Sequence, residues 1–323
     1  MLFRSPVTLE HMANCAKVGM AAGIVWKSRS KGTYMGIDQM GNFNVHVIKE
    51  RLPDGRQAVI HVEETYSADP FARSAELMEL YGVAVCVVEI NPNYNDAKKF
   101  ANQFPGRVFI CNSFGTVAEG MIHWGDTPRQ DTSDRRTSEE AQDRFTLRMD
   151  QYKCMQVSMS RFTTEEPSCL FPDPQGLIQE VVEKGQRKLV AVLPRVFHHF
   201  TKTALVAEKD DETNAYKRSV KKVGIDPHFS YANMLCDVAW SRSHGTSTFI
   251  LPDMEGMNRG RRLEPGEIQV PGTLGAVLEQ LEISREDTCG KCSNRDSASG
   301  MCSEVQMITR ASDAGCWAYI AKG

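Results

Sequence analysis

The segment Val83-Ala84-Val85-Cys86-Val87-Val88-Glu89 constrains the fold more than any other stretch of this chain. β-Branched residues favour extended backbone. An apolar run without polar alternation is a strand covered on both faces, as in the interior of an α/β sheet. Asn91-Pro92-Asn93 then turns the chain. The run closes on a carboxylate, and burying an unpaired carboxylate is costly. Glu89 has no structural role at the end of a core strand, which marks it as a site residue.

Two further acids stand at comparable places. Asp38 closes Tyr34-Met35-Gly36-Ile37-Asp38, and after it Phe43, Val45 and Val47 share one face of an alternating strand. Asp226 opens Asp226-Pro227-His228-Phe229, with Asp suited to a helix N-cap, Pro to the first helical position, and Phe229, Ala232, Cys236 and Ala239 at helical spacing. In an open α/β sheet, residues at the carboxyl ends of neighbouring strands face a common crevice. Asp38 and Glu89 are therefore expected to converge, with the helix headed by Asp226 supplying a third oxygen ligand. Mg²⁺ and Mn²⁺ prefer such oxygens, and a two-metal site clamps the attacking and leaving oxygens of an in-line displacement. Taken singly, Asp38 is equally a turn residue and Asp226 is explained as an N-cap. The trio together favours a metal-assisted phosphodiester-cleaving site.

At 323 residues the chain has material for one large domain or two smaller ones. No apolar run approaches a membrane span, and Met1-Leu2-Phe3-Arg4-Ser5-Pro6 lacks a signal-peptide core, so a soluble, intracellular protein is expected. A net charge of −3 gives no overall attraction to nucleic acid, so DNA contact must rest on local basic clusters. The candidate is Lys217, Arg218, Lys221 and Lys222, although the same residues also suit a solvated strand face. Of the ten cysteines, Cys15, Cys86, Cys111, Cys154, Cys169 and Cys236 are scattered through apolar or mixed segments and read as reduced core thiols. Cys289, Cys292, Cys302 and Cys316 cluster with C-x2-C-x9-C-x13-C spacing. That pattern suits a metal-stapled module: structural Zn²⁺ first, an iron–sulfur cluster second, free thiols third.

Residues 1–33 read as a lead-in with a short helix near 8–22. A core over 34–245 follows, then a linker over 246–285 and a four-cysteine module over 286–323. Leu52-Pro53-Asp54-Gly55 joins strands near 43–50 and 57–64 into a hairpin. Helix 70–81 leads to the Glu89 strand, helix 94–104 follows, and Arg107–Cys111 reads as another buried strand. Residues 125–143 are polar enough to be an exposed loop. Helices are expected at 144–162, on the spacing of Phe145, Met149, Tyr152 and Met155, and at 175–184, with Pro194 ending the apolar run 188–193. Segments 202–209 and 216–223 form a hairpin carrying the basic cluster. A short helix near 274–282 lies in the linker, and no internal repeat is apparent.

From Tyr34 to Trp240 the sequence resembles the nuclease half of the large terminase subunit of tailed bacteriophages. The likeness rests on Met35-Gly36-Ile37-Asp38, on Val87-Val88-Glu89-Ile90-Asn91-Pro92 with Phe100 and Phe104-Pro105-Gly106-Arg107-Val108, and on Asp226-Pro227-His228-Phe229-Ser230-Tyr231-Ala232. The resemblance implies a ribonuclease H-like α/β fold, a mixed central sheet flanked by helices. It also implies two Mg²⁺ or Mn²⁺ ions on Asp38, Glu89 and Asp226, and endonucleolytic cutting of concatemeric double-stranded viral DNA during genome packaging. Implied partners are the packaging ATPase, the portal and the small terminase subunit, and the implied location is the host cytoplasm. No G-x-x-x-x-G-K-[ST] occurs, so the motor is expected elsewhere. Pro227 stands between the acid and His228 where many relatives have Asp-His directly, which argues against His228 as a metal-proximal base. Asp237, on the same helical face, is the reserve third ligand. The four-cysteine tail is not a standard part of such a nuclease. A resolvase- or transposase-like strand-transfer enzyme and a non-catalytic docking module remain as alternative readings.

Overall fold

A computed structural model describes residues 5–114, 121–126, 145–183, 186–209 and 216–244, all within the first of the chain's two units, Met1–Pro252. The expected linker and four-cysteine module lie outside the described residues, as do most of the polar segment 125–143 and the tip of the basic hairpin. No described helix is long and apolar enough to cross a membrane.

The chain opens its sheet with an antiparallel meander of β1 (Thr33–Gln39), β2 (Phe43–Arg51) and β3 (Gln57–Tyr66). Helix α1 (Leu9–Ala21) precedes it and α2 (Pro70–Leu80) follows it. The valine-rich run forms β4 (Val83–Glu89), parallel to β1. Helix α3 (Tyr94–Gln103) then leads to β5 (Val108–Phe114), parallel to β4. Beyond β5 come β6 (Ile122–Trp124) and β7 (Thr146–Asp150), while the two-residue β8 (Cys169–Leu170) closes the edge beside β3. The order is β6-β7-β5-β4-β1-β2-β3-β8. Its central part, β3-β2-β1-β4-β5 with only β2 antiparallel to β1, is the ribonuclease H-like arrangement.

Period-two alternation divides the sheet's side chains between two cores. Met35, Ile37, Ile48, Ile60, Cys86, Val88 and Ile110 pack with Leu77, Met78, Ala97 and Phe100 of α2 and α3. Tyr34, Val45, Val47, Val85, Val87 and Phe109 face the opposite way, in one core with α1, α4 (Gln151–Thr163), α5 (Val192–Phe200) and α6 (His228–His244). Gly36 permits the closest approach of α6. A Cβ there would lie 2.0 Å from the Ala232 carbonyl oxygen and 2.3 Å from the Cys236 nitrogen. The six scattered cysteines are buried free thiols, as their surroundings suggested.

Several expectations are corrected. The residues read as helix 144–162 are β7 followed by α4. Leu147 and Met149 are buried on either side of exposed Arg148, and Asp150 then caps the helix, its side chain accepting from the Lys153 nitrogen at 3.0 Å. Helix 175–184 is instead strand β9 (Ile178–Glu183), paired antiparallel with β10 (Gln186–Ala191). Backbone pairing decides a short run whose apolar spacing suits either period. Pro194 does not end an element; it lies in the first turn of α5, where its missing N–H costs little. The lead-in contributes to the core, since Met12, Cys15 and Ala16 of α1 are buried with it. Residues β11 (Thr203–Lys209) and β12 (Tyr216–Lys222) form the expected antiparallel hairpin.

Candidate active site

Asp38 and Glu89 occupy the carboxyl ends of adjacent parallel strands, β1 and β4, whose register runs through Ile37 opposite Val88. Both point to the α6 side of the sheet, in phase with Gly36 and Val87. Gln39, pointing the other way, holds the two strand ends together. Its Nε2 donates to the Glu89 carbonyl at 2.6 Å, and its Oε1 accepts from the Asn93 nitrogen at 3.3 Å.

Asp38 is 5% exposed. Burial pushes its carboxyl above the usual carboxylate range, opposed by hydrogen bonds with His228 and Glu89 and by the nearby Lys222 charge. Glu89 is only half-buried, and two neighbouring carboxylates repel unless a proton or a cation lies between them. His228, at the start of α6, donates from Nδ1 to Asp38 Oδ2 at 2.9 Å. The proline inserted before His228 leaves the imidazole against Asp38.

Asp226 does not cap α6. The helix begins at His228, and the Pro227 carbonyl accepts from the Ser230 and Tyr231 nitrogens. The Asp226 side chain is 45% exposed and ion-paired with Lys222. Its charge nevertheless reaches the same place as the other two. Burial, then Glu89, Asp38 and Asp226 in that order, raise the Tyr231 phenol. Tyr231 therefore faces the field of all three acids, a position no sequence spacing announced.

Asp237 is excluded as a ligand beside Asp38. It is wholly buried, 2.8 Å from Lys49 Nζ, 2.7 Å from Ser158 Oγ and 3.4 Å from Arg161 Nε. Burial would raise its carboxyl, but Lys49 and Arg161 outweigh that and hold it low. Lys49 lies opposite Tyr34, four residues before Asp38 on β1 and so about 13 Å away along the strand.

The basic cluster is divided. Lys222 belongs to Asp226, and the Arg218 guanidinium lies over the Tyr152 ring at 5.8 Å. Lys221 stands in register with Ala204, whereas the Lys217 side chain is outside the described residues, as are Cys289, Cys292, Cys302 and Cys316.

Among the described residues, no group of three or more His, Cys, Asp or Glu side chains is already gathered as a metal cage. The donor chemistry of Asp38 and Glu89 nevertheless fits a hard divalent cation: two carboxylates at the ends of adjacent strands, one buried and one half-buried. Asp226 Oδ1 is engaged by Lys222, and the side chain remains 45% exposed.

Fold and site thus define a ribonuclease H-like α/β protein with an acidic pair at the carboxyl edge of its sheet. No family model matches the sequence, and no curated relative does. Among solved structures the chain is similar to the nuclease domain of the large terminase subunit of bacterial virus Sf6, at 12% identity and TM-score 0.41 over 71% of this chain and 96% of that one. It is also similar to the large terminase nuclease of thermophilic phage G20c, at 9% identity and TM-score 0.36 over 71% and 97%. A third is the large terminase nuclease domain of Thermus phage P74-26, at 11% identity and TM-score 0.32 over 66% and 87%. Other structures of the Sf6 and G20c domains contain manganese and magnesium respectively.

Proposed function

We propose that this chain is a divalent-metal-dependent DNA endonuclease of the terminase type, cutting concatemeric viral DNA during packaging. The observation that carries the proposal is the parallel register of β1 and β4, which sets Asp38 and Glu89 side by side at the carboxyl ends of both strands and on the α6 face. The sequence resemblance supplies the substrate and the packaging context. Asp38 and Glu89 would hold Mg²⁺ or Mn²⁺, with Asp226 completing the set for two ions. Bound there, the ions would activate water and stabilise the leaving oxygen.

The protein's own groups orient that chemistry. His228 Nδ1–H engages Asp38 Oδ2 and so fixes the orientation of that carboxylate. Gln39 fixes the end of β4 and hence the Glu89 backbone. Lys222 neutralises Asp226 until an incoming phosphate or cation competes for either partner. Arg218, Lys221 and Lys217 would meet phosphates, contacts that position DNA without reading its sequence and that weaken with salt.

Supercoiled-plasmid cleavage with Mg²⁺, Mn²⁺ or EDTA tests this reading. Nicking and linearisation are expected with either metal, and both should be abolished by EDTA, by Asp38→Asn and by Glu89→Gln. Cutting that survives both substitutions would remove the acids from the active site; no cutting with any metal would overturn the nuclease reading for this chain.

A further inference from the structure

The row of side chains that begins with the acids continues along the same sheet edge and on the same face. Asp38 stands opposite Val45 on β2, Val45 opposite Glu64 on β3, and Phe43 opposite Tyr66. Alternation directs Asp38, Phe43, Glu64 and Tyr66 to the α6 side. The Phe43 and Tyr66 rings stack at 4.8 Å between centroids with 24° between planes. Phe43 also meets the His228 ring in a T-shaped contact at 5.5 Å between centroids, and His228 is the ring that holds Asp38. A continuous series of contacts therefore runs from an acid of the site to a tyrosine that is 42% exposed.

Burial does not explain that last ring. An aromatic side chain at the end of a strand gains most by covering its face, and Tyr66 covers one face on Phe43 while 42% of the residue remains exposed. Its hydroxyl is anchored, donating to Glu64 Oε2 at 3.1 Å. Glu64 is in turn paired with Arg195 Nη1 at 3.1 Å, so a cation from α5 stands next to the ring. A flat exposed aromatic held by a neighbour, with a guanidinium beside it, is the chemistry that receives a nucleobase and its phosphate. β3 lies two strands from β1, about 10 Å at ~4.8 Å per strand. That places the ring within reach of a nucleotide close to the one being cut.

We infer that Tyr66, backed by Phe43, is a stacking platform for an unstacked nucleobase beside the cleaved phosphodiester, with Arg195 taking the adjoining phosphate. The substrate class is then nucleic acid with a locally opened or single-stranded segment at the cut, rather than a regular duplex alone. This inference rests on the nuclease reading and adds a base contact to it.

The probe is a DNA duplex with a short single-stranded gap carrying 2-aminopurine, bound to Glu89→Gln protein so that it is not consumed. Stacking quenches the fluorophore. Quenching is expected with the Glu89→Gln protein and with an added Tyr66→Phe. It should be lost with an added Tyr66→Ala, together with roughly 5- to 100-fold weaker binding. The dependence of binding on salt should stay the same, because no phosphate contact has been removed. Equal quenching and affinity in the alanine and phenylalanine proteins would overturn the platform. If wild-type protein cuts plasmid while the alanine substitution leaves probe binding unchanged, only the platform fails. If it neither cuts plasmid nor binds the probe, both readings fail, and quenching without cutting overturns the nuclease reading and with it the platform's place beside a cleaved bond, leaving Tyr66 as a base-stacking site alone.

Discussion

Lys49 and Asp237 show how far a single residue can depart from its sequence context. In the alternation of β2, Lys49 follows Val45 and Val47 on the core face, an unusual place for a lysine, and both members of the pair are 0% exposed. Gln57 accepts from the same ammonium at 3.2 Å, and Ser158 donates to Asp237. Breaking one partner of such a buried pair costs about 3–5 kcal/mol, because the survivor remains charged and dry. Lys49→Met alone should therefore lower the urea midpoint severely, whereas Lys49→Met with Asp237→Leu should recover most of the loss. A double variant no better than the single one would mean that the pair contributes more than mutual neutralisation. His228 is the functional counterpart, joined to Asp38 across the sequence by one hydrogen bond. A residue that orients a metal-bound carboxylate is typically worth 10–100-fold in metal affinity or activity. His228→Ala is expected to slow plasmid cutting by about that factor and to shift the Mn²⁺ requirement upward, which a metal titration of the cleavage rate would measure. Neither partnership was legible in the sequence, since each depends on the packing of α6 across the sheet.

At the scale of elements, α6 sets the site because it carries His228 and Tyr231 over the ends of β1 and β4. Its height is fixed where Gly36 meets the backbone of Ala232 and Cys236. No rotamer change can relieve a Cβ pressed against two backbone atoms, so Gly36→Ala must lift the helix. The expected cost is at least that of overpacking a core, about 1–3 kcal/mol. Cleavage should fall along with the melting temperature because the His228–Asp38 contact is displaced. Unchanged melting would show that α6 is held elsewhere. The strong local signals here were legible: the valine run gave β4, the Pro-Asp-Gly turn gave the β2–β3 hairpin, and Asp38 and Glu89 were placed at strand ends as found. The failures occur where one apolar spacing serves two periods. Phe145, Met149, Tyr152 and Met155 fit a single helix, yet Asp150 divides a strand from a helix within them. Asp226 looked like a cap on composition alone, but the helix started after Pro227 and Lys222 took the carboxylate.

For the whole molecule, the two faces of the sheet each bury a histidine that cannot easily accept a proton. On the α2 side, His46 contacts Ser74 Oγ at 2.8 Å; burial lowers its pKa from 6.5 to about 4, helped by His61 and Arg73 and opposed by Glu63. On the other side, His199 accepts from the Phe229 nitrogen at 3.4 Å. Burial, Arg195, His228 and His198 lower its pKa from 6.5 to about 3. In both cases the unfolded chain binds the proton more readily, so stability is full above about pH 6.5 and declines as pH falls toward the folded values. Near pH 5 each group should account for on the order of 2 kcal/mol. Glu63 and Asp237, whose pKa values are lowered, keep their contributions until the pH falls below the unfolded carboxylate range, so they act later. Asp38, whose pKa is raised, works in the opposite direction and blunts the decline. The comparison that isolates the histidines is the change in urea midpoint between about pH 7 and pH 5, in wild type and in His46→Gln. The substitution should roughly halve the pH-dependent loss even if it lowers stability at both pH values. If the substitution leaves the loss undiminished, the acid sensitivity of the fold lies in its carboxylates and not in its buried imidazoles.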